Sequence, residues 1–251
     1  MAILTNEQVN FFQENGYLVC REMIPREWTE EALDLVWENL DAERSDPASW
    51  VDQGYKTIGG VGGSDIVKRI VREGGVHGAA QQLVGAENIY GPGGASPHIS
   101  FPRSNKAWNI PARGHLDGYY TPHNGVTKGT TGRFMVAATI YIDTVDHKGG
   151  GFTLWPGSHR LFAEYFRTHP IDGPQGGVVN FSLGEPYEFT GGPGDVCFWH
   201  GWISHTASTN AGERPRMALI TRISRKDQDE WKFDTADGDL WSRWEGVESD
   251  M

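Results

Sequence analysis

His115-Leu116-Asp117 sets two metal-capable side chains one residue apart. In extended backbone, residues i and i+2 point the same way, so this imidazole and this carboxylate can reach one ion. His-x-Asp recurs by chance, and alone the pair is a weak signal. It gains force from a second stretch, Gly194-Asp195-Val196-Cys197-Phe198-Trp199-His200-Gly201-Trp202-Ile203-Ser204-His205, and from Arg216 beyond it. One carboxylate and two histidines that leave coordination positions open form the ligand set that suits non-haem Fe(II) and oxygen chemistry. Arg216 opens the run Arg-Met-Ala-Leu-Ile-Thr, the start of an apolar strand where a charge without a partner is costly.

The elements that must position these residues change character along the chain. Thr5-Asn6-Glu7-Gln8 reads as a capping box, opening a short helix through Phe12 that stops at Gly16. Tyr17–Arg21 reads as a short strand. From Pro25, the residues Trp28, Ala32, Leu35, Val36 and Leu40 recur at helical spacing, predicting a helix that ends near Arg44. The polar, Gly-rich segment 45–63 reads as a loop, followed by short helices over Ser64–Arg72 and Val76–Leu83, split by Gly74-Gly75. Short β runs then follow: Glu87–Tyr90, Pro97–Phe101, Arg133–Ile142, Gly151–Trp155, Glu185–Thr190, Asp195–Trp199 and Pro215–Ser224. Helices followed by regularly spaced strands predict a β-sandwich or barrel with helices buttressing one face. We read one domain over residues 1–251: a helical third (1–86), a β core (87–225) and an acidic tail (226–251) whose Trp231, Trp241 and Trp244 pack back on the body.

Composition narrows the classes. The formal net charge of -11 argues against nucleic acid and against an anionic membrane surface as partners. Cys20 and Cys197 lie far apart and make no disulfide framework, so a reducing cytoplasm is the expected compartment. No basic segment followed by an apolar run opens the chain, and no apolar stretch approaches the roughly 20 residues of a membrane span. The 33 glycines and 10 tryptophans suit many turns and aromatic-lined cavities better than a helical bundle.

The motifs, taken in order, resemble those of the phytanoyl-CoA dioxygenase family of Fe(II)- and 2-oxoglutarate-dependent oxygenases. The opening run Thr-Asn-Glu-Gln-Val to Gly16-Tyr17-Leu18-Val19 is similar to the family's early x-G-(Y/F)-L-V segment. His115-x-Asp117 matches its proximal metal pair. The stretch Gly149-Gly150-Gly151-Phe152-Thr153-Leu154-Trp155-Pro156-Gly157-Ser158-His159-Arg160 matches its strand and Pro-Gly-Ser-His turn. His205, with Arg216 eleven residues later, matches the distal histidine and the co-substrate arginine. The resemblance spans nearly the whole chain. It implies a mainly β fold with N-terminal helices, built on a double-stranded β-helix (a jelly-roll, cupin-like core). It implies His115, Asp117 and His205 as Fe(II) ligands and Arg216 as the anchor for the far carboxylate of 2-oxoglutarate. O2 is consumed, succinate and CO2 are released, and a small-molecule substrate, a specialised metabolite, is oxidised. Related halogenases carry Gly or Ala at the carboxylate position, so Asp117 points to hydroxylation, desaturation or cyclisation.

Competing residues are weighed on the same terms. His200 lies five residues before His205, an odd separation that puts the two on opposite faces of a strand. The family's spacing to the arginine selects His205 and leaves His200 as a hydrogen-bonded histidine near the mouth. Arg214 sits in a Glu-Arg-Pro turn and is expected to be solvated, in contrast to Arg216. His159 is expected to bond local backbone, and His77, His98, His123, His147 and His169 have no spacing that recruits them. Thr153, with Thr206 or Ser208, is expected to add hydroxyl contacts to the co-substrate. Tyr119, Tyr120 and Trp155 are expected to touch substrate, with 119–133 as a lid or a plain connection. The rival readings are a cupin-like metal- or ligand-binding protein without turnover, and a zinc enzyme on a similar barrel.

Overall fold

The computed structural model describes residues 2–112, 114–117, 135–169, 182–231 and 239–248. Helix α1 (Asn6–Asn15) starts where the capping box predicts: the Gln8 amide donates to Thr5 Oγ1, and the Thr5 amide donates to Gln8 Oε1. It ends at Gly16 in the left-handed region and turns directly into β1 (Tyr17–Cys20). Helix α2 (Arg26–Glu38) is shorter than the apolar spacing predicts. The Asn39 side chain takes the Leu35 carbonyl, and the Leu40 amide tightens onto Trp37, which closes the last turn before the polar run at Asp41. Helices α3 (Asp65–Glu73) and α4 (Val76–Val84) follow, split at Gly74-Gly75 as predicted.

The remaining strands are β2 (Tyr55–Thr57), β3 (Ser96–Ser100), β4 (Val136–Tyr141), β5 (Phe152–Leu154), β6 (Tyr187–Phe189), β7 (Val196–His200), β8 (His205–Ala207) and β9 (Arg216–Ile223). Two further helices are α5 (Ser158–Thr168) and α6 (Gln228–Trp231). Four elements differ from the sequence reading. β2 lies inside the segment 45–63 read as a loop; it is a three-residue edge strand with no apolar alternation to reveal it. Glu87–Tyr90 is not a strand, and contributes one isolated bridge, Ile89 to Arg225. β8 and α5 fall where the sequence reading places no element.

All pairings in both sheets are antiparallel. A six-stranded sheet runs β1-β7-β4-β9-β3-β2, and a three-stranded sheet runs β6-β5-β8. Strand alternation divides the larger sheet between two cores. Val136, Ala138, Ile140, Val196, Phe198, Met217 and Leu219 face the helices, packing with Phe12, Ile70, Val71 and Leu83. Ala137, Tyr141, Cys197, Trp199 and Ala218 face the smaller sheet, packing with Phe152, Leu154 and Phe189. Both faces of β4 and β7 are therefore buried. At about 25 cal/mol per Å² of apolar surface, that double burial anchors the central strands in both cores. No helix among the described residues is long and apolar enough to cross a membrane.

The tail packs back as predicted at Trp241 and Trp244, which are 1% and 2% exposed and meet the Phe12 ring at 6.0 and 5.6 Å. Arg225 Nη1 donates to the Arg243 carbonyl, and the Gly246 amide donates to Leu83, fixing this segment against α4. The side chain of Trp231 lies outside the described residues. Because Trp241 fills the helix-side core, Trp241→Ala is expected to lower the unfolding free energy by about 3–5 kcal/mol. Urea denaturation checks this, and a loss below about 1 kcal/mol would show the tail to be a loose appendage.

Candidate metal and co-substrate site

One pair of backbone hydrogen bonds brings together residues ninety positions apart. The His115 amide donates to the His205 carbonyl at 2.8 Å, and the His205 amide donates back at 3.0 Å, forming an isolated antiparallel bridge. Directly paired residues share a face, and the two imidazoles lie with ring centroids 4.4 Å apart. Asp117, two residues on, points the same way as His115. Its Oδ1 is 3.4 Å from His115 Nε2, and its Oδ2 is 3.7 Å from His205 Nε2. One ligand atom from each of His115, Asp117 and His205 lies within 4.8 Å of the others; among the described residues no other His/Cys/Asp/Glu group does this.

The protonation states suit a cation. His205 is buried, and its Nδ1 lies 3.0 Å from the Ile203 carbonyl. A carbonyl only accepts, so Nδ1 carries a proton, and Nε2, the nitrogen that faces Asp117, is the atom left to share a proton with the carboxylate or to ligate a cation in its place. Burial lowers the His205 pKa, partly opposed by the Asp117 carboxylate, which favours the neutral ring a metal needs. Burial alone would raise the pKa of Asp117. Hydrogen bonding to His115 and His205 and the charge of Arg222 outweigh it and hold the carboxyl well below the usual carboxylate range. Trp199 and Phe152 wall the site, with ring centroids 4.3 and 5.4 Å from that of His205.

Arg216 lies at the start of β9 and is 3% exposed. Its Nε donates to the Gly150 carbonyl at 3.0 Å and its Nη1 to the His98 carbonyl at 3.1 Å; no carboxylate among the described residues pairs with it. Gly150 has φ 80°, so the Gly149-Gly150-Gly151 run turns its carbonyl toward the guanidinium in a conformation a side chain would disfavour. Burial pushes the Arg216 pKa below the ordinary arginine value. Arg214, by contrast, is exposed and lies 3.9 Å from Asp143, as a solvated turn residue should.

Other expectations sort by strand parity. His200 lies on β7 facing the helices, opposite Trp199, in a nest of His159, Trp241 and Trp244. His200 is thus no ligand, as expected, but not by parity along one strand: a turn at 201–204 carries the chain from β7 to β8 in the other sheet, and His200 is a core histidine and not one at the mouth. His159 bonds the Gln13 carbonyl of α1, a distant partner and not local backbone. Thr153 pairs with Thr206, while Phe152 and Leu154 on either side face His205 and the inter-sheet core. Thr153 and Thr206 thus project from the opposite face of the small sheet, and Ser208, two residues on, bonds Glu188 there. The expected hydroxyl contacts to the co-substrate are not brought to the site. Trp155 is 4% exposed, with its ring against Gly114, so it backs the loop that carries His115. Tyr119, Tyr120 and the segment 119–133 lie outside the described residues.

Two residues that sequence reasoning passed over join the site. Arg222 shares the Arg216 face of β9, six residues along, and donates to Asp117 Oδ2 from Nε at 2.9 Å and again from Nη2. His98 lies opposite Ala218 on β3, with its Nδ1 bonded to the Tyr55 hydroxyl. Burial and the charges of Arg216 and Arg222 lower its pKa to about 4, so it is neutral at neutral pH. The even parity of 216 and 222 was available once β9 was assigned; no local pattern marks His98.

Two antiparallel sheets holding two histidines and a carboxylate beside a sealed guanidinium are what an oxygenase-type oxidoreductase using Fe(II) and a 2-oxo acid requires. The chain belongs to the phytanoyl-CoA dioxygenase (PhyH) family, whose model matches residues 12–218. Its cofactors are Fe(II), 2-oxoglutarate and O2. Among curated proteins no sequence matches. Among solved structures it is similar to the non-haem alpha-ketoglutarate-dependent epimerase SnoN from nogalamycin biosynthesis, with TM-score 0.61, 20% identity, and 87% of this chain and 82% of that chain covered. It is also similar to HygX from Streptomyces hygroscopicus, with nickel, 2-oxoglutarate and hygromycin B bound, with TM-score 0.58, 16% identity, and coverage of 89% and 88%. The carbocyclase SnoK from nogalamycin biosynthesis follows with TM-score 0.57, 19% identity, and coverage of 88% and 84%.

Gly114 allows the close approach on which the bridge depends. A Cβ there would sit 2.5 Å from Ser204 Oγ, 2.6 Å from the Trp155 ring and 2.7 Å from the His205 amide. Gly114→Ala is expected to force the two histidine backbones apart and weaken Fe(II) binding about 10-fold or more, a dye-competition measurement; unchanged affinity would show that the bridge is not needed. The buried His200 supplies a pH prediction. Burial and the neighbouring His159 hold its pKa well below the ordinary value, so the unfolded chain takes up a proton the native state refuses. Its contribution is whole above about pH 6.5 and is lost as pH falls, at up to about 1.4 kcal/mol per pH unit. Urea midpoints at neutral and mildly acid pH should fall less steeply for His200→Phe than for wild type, and equal slopes would contradict the assignment.

Proposed function

We propose that this protein is a dioxygenase in which His115, Asp117 and His205 hold Fe(II) and Arg216 binds the distal carboxylate of 2-oxoglutarate, and that it oxidises a C–H bond of a small specialised metabolite. In this reading the two facing sheets are the halves of a double-stranded β-helix. The observation that carries it is the conjunction of a compact His/Asp/His set with a buried arginine that lacks an anionic partner among the described residues. A dry guanidinium costs several kcal/mol unless an anion meets it, and a carboxylate bound through paired charge-assisted hydrogen bonds does so. The rival metal-binding protein without turnover gives no reason to bury that cation.

The residues divide the work. Ile203 fixes the His205 tautomer so that Nε2 faces the ion, and Asp117 supplies the charge that holds a divalent cation. Trp199 and Phe152 keep water from the inner face of His205. Bound there, Fe(II) with 2-oxoglutarate and O2 would supply the oxidising power to break a C–H bond, O2 taking the electrons as 2-oxoglutarate is converted to succinate and CO2. The presence of Asp117, a protein carboxylate in place of an open position, favours hydroxylation, desaturation or cyclisation over halogen transfer. The solved neighbours include proteins described with nogalamycin biosynthesis and with hygromycin B, which supports a small-molecule substrate over a macromolecule. Cys20 and Cys197 are free and buried, in keeping with a reducing cytoplasm.

Anaerobic titration of the metal-free protein with Fe(II), then 2-oxoglutarate, tests the assignment without a known substrate. A weak visible charge-transfer band is expected in wild type, absent in Asp117→Ala. In Arg216→Ala its half-saturation should shift upward by about 100-fold, the loss of a charge-assisted pair worth about 3 kcal/mol. Fe(II) bound without any band would remove the co-substrate assignment and return the zinc enzyme and the binding protein to first place.

A further inference from the structure

The shortest contacts of Asp117 among the described residues are with a residue outside every motif. Arg222 places Nε and Nη2 on one oxygen, Oδ2, whereas the nearest imidazole nitrogens lie 3.4 and 3.7 Å from the carboxylate. The two residues sit on very different supports. Arg222 belongs to β9, where it lies opposite Ala137 of β4, two residues beyond the end of the pairing with β3 at Ile220. Asp117 lies beyond the single bridge that ties its loop to β8. The carboxylate is thus tied to the larger sheet through a guanidinium.

We propose that Arg222 is a positioning residue that holds Asp117 as a one-oxygen metal ligand; this rests on the function proposed above. A carboxylate offers about four lone-pair sites on two oxygens and can meet a cation through one oxygen or both. Two-oxygen ligation would occupy a position that the chelating 2-oxo acid or O2 needs. With two N–H groups on Oδ2, the fork of Arg222 leaves Oδ1 to face the ion and fixes the carboxylate plane, a directional constraint that an ammonium does not impose. One strand then supplies both cations of the site: Arg216 at one end for the far carboxylate of the co-substrate, and Arg222, about 20 Å of strand away, for the ligand carboxylate. Strand parity puts them on the same face.

Metal affinity is a poor readout of this role. Removing the tether weakens the site, while removing a cation beside a dication strengthens it, and the two effects oppose each other. Geometry and the open position are better. Crystals of wild type and Arg222→Gln with Mn(II) and 2-oxoglutarate, and nitric oxide titration of the Fe(II)–2-oxoglutarate complexes followed by electron paramagnetic resonance, read both. Wild type should bind Mn(II) through one Asp117 oxygen with the other on Arg222. In Arg222→Gln the carboxylate should turn or bind through both oxygens, and nitric oxide affinity should fall about 10-fold or more, with partial recovery in Arg222→Lys. The Arg222 side chain is 38% exposed, so neither variant empties a core site. Arg222 leaving Asp117 in the wild-type metal complex would overturn the proposal, as would an Arg222→Gln protein with one-oxygen geometry and wild-type nitric oxide affinity. Wild type that takes up neither Mn(II) nor 2-oxoglutarate would instead overturn the function on which it rests.

Discussion

A guanidinium sealed from water, with two carbonyls and no carboxylate beside it among the described residues, is the constraint on which the site depends. Carbonyl oxygens accept hydrogen bonds from Arg216 but do not cancel its charge. Removing an unpaired ion from water costs far more than an exposed ion pair returns. Such a group persists where the rest of the fold enforces it and where a ligand recovers the cost. Here the enforcement is explicit: β9 is flanked on both sides, the glycine run at 149–151 turns a carbonyl inward, and β3 lies close enough to contribute the His98 carbonyl.

The same strand links that anchor to the metal ligands. Alternation along β9 sends Arg216 and Arg222 to one face, with Ala218 between them small enough to leave room, while Met217 and Leu219 hold the opposite face in the helix-side core. The histidines come from elsewhere and meet through a single bridge, which is why a glycine precedes His115 and why Trp155 packs where it does. The geometry therefore depends on a sheet anchored in both cores and a thin connection, joined by the Arg222–Asp117 pair.

How much of this could be read from the chain follows from the range of the physics involved. The i, i+2 relation of His115 and Asp117 is local and holds in the structure; His200 is set apart from His205 as expected, but by the turn at 201–204 that carries the chain into the other sheet and not by the odd spacing along one strand. The buried state of Arg216 against the exposed state of Arg214 followed from an apolar strand beside a Pro turn. β8 is three residues long and polar in part, so no alternation announces it, although it carries His205. α5 begins directly after Pro156-Gly157, a signal that reads as a turn, and its buried Phe162 and Phe166 lie four residues apart on one helical face. Thr153, Thr206 and Ser208 carry hydroxyls in the right stretches, but the parity of β5 and β8 sends them to the other face. Arg222 and His98 needed the register of β9 against β3 and β4, which is a property of the sheet and not of either segment.

The most direct test compares two ligands that differ at one end. The Fe(II) protein is titrated, without oxygen, with 2-oxoglutarate and with 2-oxopentanoate, which keeps the chelating 2-oxo acid and lacks the distal carboxylate. If Arg216 is buried to receive that carboxylate, 2-oxoglutarate should bind about 100-fold more tightly, and Arg216→Gln should erase most of the difference. Equal affinities in wild type would contradict the account, because the buried cation would then answer to something else.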